Sequence, residues 1–175
     1  QTDTAVRTCL VKAVRNSADA ARTAGSVARL DLLLNELRRL TTSFPDDIFV
    51  REILALALVD TLAGVTQGDG AAIRETLAQE LRHLSSRFEH DASIGAALAT
   101  ALFRLDKAAA TSPGVVDHTD ELRRLHSRFP DDASVAAPLV RTLFDPAFAR
   151  NTPVQLKSLA HELRQLLIRM EAANS

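Results

Sequence analysis

The chain has 175 residues, 46% of them hydrophobic and 25% charged, with 21 Lys and Arg balanced by 22 Asp and Glu. A formal charge of −1, no Trp, no Tyr and only seven Phe argue against nucleic acid, since duplex binders draw affinity from a basic excess and single-strand binders from aromatic platforms. Apolar runs such as ILALALV at 53–59 are far too short to cross a bilayer, and the single Cys9 excludes an internal disulfide or a cysteine-built zinc site and favours a reducing, cytoplasmic setting.

The first expected helix covers 3–24, with Asp3 as its N-cap and Val6, Leu10 and Val14 on one face. A second, over 27–44, carries Leu33, Leu37, Leu40 and Phe44 at steps of four, three and four, which is one stripe at about 100° per residue. FPDD then reads as stop, turn and cap: Pro45 cannot continue the helix, and Asp47 can accept bonds from the first free amides of the next one. That helix, 47–64, places Val50, Leu54, Ala57 and Leu58 inward, and GVTQGDG ends it. These glycines lack the Lys-Ser/Thr end of a phosphate loop, so the segment reads as a connector.

The pattern then recurs. A helix over 70–88 repeats the stripe as Leu77, Leu81, Leu84 and Phe88, and after FEHD a helix over 91–109 presents Ile94, Leu98, Ala101 and Leu102. The next stripe, expected over 114–129, has His118 where a leucine stood, followed by Leu122, Leu125 and Phe129. Asp132 caps a helix over 132–145 with Val135, Leu139, Thr142 and Leu143 inward and Pro138 inside it, where it should bend the backbone. A last helix over 153–172 carries Leu159, Leu163, Leu166 and Met170.

ELRRLTTSFPDD at 36–47 is thus restated at 80–91, at 121–132 and, in worn form, at 162–173, with successive Glu residues 44, 41 and 41 apart. Each period is a helix A bearing ELR followed by a helix B beginning at Asp. One such hairpin buries too few side chains, at about 1.5–3 kcal/mol each, to offset about 1–2 kcal/mol of chain entropy per residue. Neighbours must therefore cover one another, and the expected fold is an all-α solenoid of stacked antiparallel helix pairs, eight helices in one helical-repeat domain over 1–175. Its parts are a helix B at 3–24, repeats at 27–64, 70–109 and 114–149, and a helix A at 153–172. The chain reads as a segment of a longer protein, and the partnerless faces at its two ends suggest end-to-end self-association.

The paired helices, with alanines and leucines at the B-helix contacts, resemble the tetratricopeptide-like family of helical repeats, though ELR replaces the Trp, Gly and Tyr usual in that family's first helix. The period of 41–44 also suits HEAT-like repeats. The resemblance implies a scaffold that holds a protein or peptide and has no chemistry of its own.

The partner-binding candidates are Arg38, Arg82, Arg123 and Arg164, one per repeat, outside the leucine stripe and able to fork onto carboxylates or phosphates. As a bland alternative, these arginines pair with neighbouring acids. Glu36, Glu80, Glu121 and Glu162 form a second column, expected to pair with Arg39, His83, Arg124 and Gln165 or with an adjacent repeat. His83, His90, His118, His126 and His161 show no converging metal-ligand spacing, and HELR at 161–164 lacks a metalloprotease helix's second histidine. Cys9 reads as a buried, inert thiol, and Phe144 and Phe148 as rings filling the irregularity around Pro138. No cofactor, metal or catalytic set is expected. The function that follows is a non-catalytic protein- or peptide-binding module, or else a helical accessory domain of a larger enzyme or secreted effector.

Overall fold

A computed structural model describes residues 27–65, 70–109 and 118–144, with single helical positions at Ala13, Asn16, Ala20, Arg164 and Ile168. The expected helices at 3–24 and 153–172, with Cys9, Phe148, His161, Glu162 and Met170, lie outside the described residues except at those single positions. The described residues form six α-helices and no strand: α1 Val27–Ser43, α2 Ile48–Gly64, α3 Gly70–Arg87, α4 Ala92–Ala109, α5 Thr119–Arg128 and α6 Ala133–Phe144. None is long and apolar enough to cross a membrane. Contacts divide the chain into two compact units, Gln1–Phe88 and Glu89–Ser175. Helices α1 to α3 belong to the first and α4 to α6 to the second.

The capping aspartates set where α2, α4 and α6 begin. Asp47 Oδ1 accepts the amides of Phe49 and Val50 at 3.1 and 3.4 Å. Asp91 Oδ1 does the same for Ser93 and Ile94 at 3.1 and 3.3 Å, and Asp132 Oδ1 for Ser134 and Val135 at 2.8 and 3.3 Å. Each cap satisfies amides that the first helical turn leaves without partners, at a gain of about 1 kcal/mol. Asp91 caps as well as the others although no proline precedes it. The aspartate, then, is the part of this turn that the helix start requires.

In the first unit α2 packs against both α1 and α3. Nine of its seventeen residues are buried accordingly, among them Val50, Leu54, Ala57 and a fully enclosed Leu58. In the second unit α4 packs on α6 more extensively than on α5, and α5 also packs on α6. Ile94, Leu98, Ala101, Leu102, Val135, Leu139 and Thr142 are all buried, as the pattern requires, whereas Leu143 is half-buried.

Three expectations are corrected. The buried face of α1 runs through Leu34, Leu37 and Thr41, while Leu33 and Leu40 are half-buried and Phe44 is exposed. In α3 and α5 the expected Leu77, Leu81, Leu84, Leu122 and Leu125 are buried, and Ser85 and His126 come inside beside them, at the repeat position of Thr41. A hydroxyl there can be enclosed because it bonds locally: Thr41 Oγ1 donates to the Leu37 carbonyl at 2.9 Å. Helix α5 begins at Thr119 and not at 114, with His118 standing outside it as the cap residue. Finally, Pro138 lies inside the helix Ala133–Phe144 as expected, but Phe144, being exposed, fills no gap beside it.

One contact occurs in both units. In the first, the Arg51 guanidinium lies 4.0 Å from the centre of the Phe88 ring. In the second, the Phe129 ring presses on Gly95 so closely that a Cβ there would fall 2.5 Å from ring carbon Cε2. Arg51 and Gly95 each stand four residues past a capping Asp, and Phe88 and Phe129 each close an ELR segment. Equivalent residues therefore meet in equivalent ways, each pair inside its own unit.

Candidate functional site

On the flank of the buried stripe Arg38, Arg82 and Arg123 each find an acid in their own unit. Arg38 makes the strongest pair: Nε and Nη2 donate to the two carboxylate oxygens of Glu80 at 2.8 and 2.6 Å, joining α1 to α3 across 42 residues. Its Nη1 also donates to Asn35 Oδ1 at 2.9 Å. The bond to Glu80 holds the guanidinium above its ordinary range, against the opposing effect of burial, and the charges of Glu80 and Asp31 add to this. Arg82 reaches Glu75 at 2.9 Å and Arg123 reaches Asp120 at 3.0 Å, while Arg164 is helical and exposed. Glu36 lies 3.8 Å from Arg39, three residues on, as expected of that column, whereas Glu80 is taken by the neighbouring repeat's Arg38.

A second polar cluster escaped the sequence reading. Asp106, on α4, is fully buried, and its Oδ1 lies 2.5 Å from His118 Nδ1. The same oxygen accepts the His118 backbone amide at 3.3 Å. His118 makes no side-chain capping bond of its own; one carboxylate from the preceding helix holds both the ring and the backbone at the entrance to α5. Asp106 Oδ2 is enclosed without a hydrogen-bond partner. Thr142 Oγ1, on α6, is likewise buried and unpartnered. A sequence signal for the pair existed: Asp106 stands where Leu62 stands in the preceding repeat, and His118 where Leu77 stands.

Of the remaining histidines, His83 and His90 are exposed and His126 is buried in α5. Among the described residues no three His, Cys, Asp or Glu side chains converge to hold a metal ion. Available chemistry in the described helices is thus ionic pairing on the A-helix flank, one buried acid–imidazole pair, and exposed apolar side chains. Those include Leu32 on α1, Phe49 and Leu56, seven residues apart on α2, with Ile48 beside them, Ile73 on α3 and Phe144 on α6.

No protein-family model matches the chain, and no curated protein or solved structure matches it either.

Proposed function

We propose that this chain is a non-catalytic scaffold module, an α-solenoid of tetratricopeptide-like or HEAT-like character built from stacked antiparallel helix pairs, which binds a protein or peptide. The observation that carries this reading is the repeated seat of a phenylalanine on the helix before it, Phe88 on Arg51 and Phe129 on Gly95. Units whose internal contacts recur at a fixed sequence spacing are built to be stacked, and stacked helical pairs present an extended face suited to a polypeptide ligand. Three of the four column arginines are already engaged with acids. Binding at this column therefore proceeds by exchange of an internal carboxylate for one from the ligand. Arg38 is the poorest candidate for such exchange, because its fork is doubly satisfied.

Panning a displayed random-peptide library against the folded chain tests the reading. Enriched sequences should carry Asp or Glu, and a variant with Arg82, Arg123 and Arg164 changed to Glu should lose them while keeping its helical circular dichroism. Arg38 is left in place because it holds Glu80. Binders indifferent to the three changes would remove the arginines from the site. Failure of any peptide to enrich would count against the scaffold itself.

A further inference from the structure

We propose that the junction of α4 with α5 is a releasable latch closed by Asp106 and His118, at the place where the first unit has two leucines. Leu62 lies fifteen residues past its capping Asp47, as Asp106 does past Asp91, and Leu77 precedes its ELR segment by as many residues as His118 does. Both leucines are buried. The second repeat has therefore exchanged an apolar couple for a carboxylate and an imidazole at matching sites.

Three features make this junction the easier one to open. Asp106 Oδ2 gains no partner on closure, so closing strips water from an oxygen and returns nothing to it. Opening rehydrates the whole pair, whereas opening the leucine junction exposes apolar surface to water. Among the described residues α4 also packs less extensively on α5 than α2 does on α3. The ring and backbone bonds of His118 end on the same Asp106 oxygen, so loss of that carboxylate removes both. When they part, only the less extensive packing of α5 on α4 is weakened, and the more extensive packing of α4 on α6 remains. The buried Leu122 at the start of α5 then becomes accessible. This device depends on the packing of the second unit alone and stands whether or not the chain is a scaffold.

Amide hydrogen exchange on the whole chain reads the latch. The reporter is the Leu122 amide, which bonds to the His118 carbonyl at 3.0 Å. Restoring the leucine couple in D106L/H118L should slow its exchange about tenfold and raise Tm, since a well-packed apolar pair often matches or exceeds a buried ionic one. D106N keeps the shape but removes the charge, and should speed exchange at Leu122 while leaving the Leu58 amide in the first unit unchanged. The proposal is overturned if the leucine variant exchanges as fast as the parent, melts lower or fails to fold. It is equally overturned if D106N leaves Leu122 unmoved.

Discussion

Gly95→Ala sets two well-known effects against each other, and the structure decides the sign. Glycine inside a helix costs about 0.5–1 kcal/mol relative to alanine, so the substitution taken alone should stabilise α4. At Gly95, however, the new Cβ would lie 2.5, 2.9 and 3.3 Å from three carbons of the Phe129 ring. Ordinary contact begins near 3.5 Å, so the half-buried Phe129 ring must move by most of an ångström. Overpacking of that kind costs about 1–3 kcal/mol, which exceeds the propensity gain. G95A should accordingly destabilise by up to about 2 kcal/mol, read as a lower urea midpoint at unchanged slope. Gly64 supplies the control, because nothing lies within 4 Å of a Cβ built there; G64A should be neutral or stabilising by up to about 1 kcal/mol. Shortening the ring in F129L should make the Gly95 change favourable again, so the double variant tests the named contact directly. If G95A stabilises as G64A does, Phe129 does not sit on Gly95 and the repeated seat is lost as an argument.

The Arg38–Glu80 fork should show a coupling of about 1 kcal/mol in a double-mutant cycle of R38A and E80A, discounted because the Arg38 side chain is 39% exposed. The more exposed Arg123–Asp120 pair, three residues apart, should give no more than about 0.3 kcal/mol, and equal couplings would contradict the difference in geometry. Thr142→Val removes a buried hydroxyl that has no partner while keeping its shape, and should stabilise by about 1 kcal/mol. A loss of that size in urea unfolding would mean that the hydroxyl is bonded after all.

Much of the helix order was legible because it rests on local chemistry. An aspartate before a free amide, or an apolar residue every three or four positions, acts over one helical turn, and Asp47, Leu58 and Leu102 behave as their neighbours in sequence dictate. What was misread depends on partners farther away or on bonds that a hydropathy pattern does not register. Thr41 looks like a surface residue until its hydroxyl is seen to donate to the Leu37 carbonyl, after which burying it costs little. That exchange shifts the buried face of α1 by one residue. The arginine and glutamate columns were both visible, and pairing of a glutamate with an adjacent repeat was among the expectations, but the pattern did not single out Arg38 and Glu80 as the pair that does so.

The Asp106–His118 pair gives the most instructive case, because each half taken alone was misleading. His118 in a leucine stripe looks like a tolerated polar substitution, and Asp106 near a helix end looks like an ordinary solvated acid. Only their coincidence is informative. Leu62 and Leu77 are both replaced in the following repeat by groups that can hydrogen-bond to each other, and neither replacement is favourable alone, since either would leave a buried polar group beside a leucine. Two costly changes at facing positions become tolerable when they satisfy one another, which the 2.5 Å contact shows they do. A repeat chain thus contains an internal comparison that a non-repeating chain lacks: wherever two positions depart from the pattern together and in complementary chemistry, contact between them is the economical explanation.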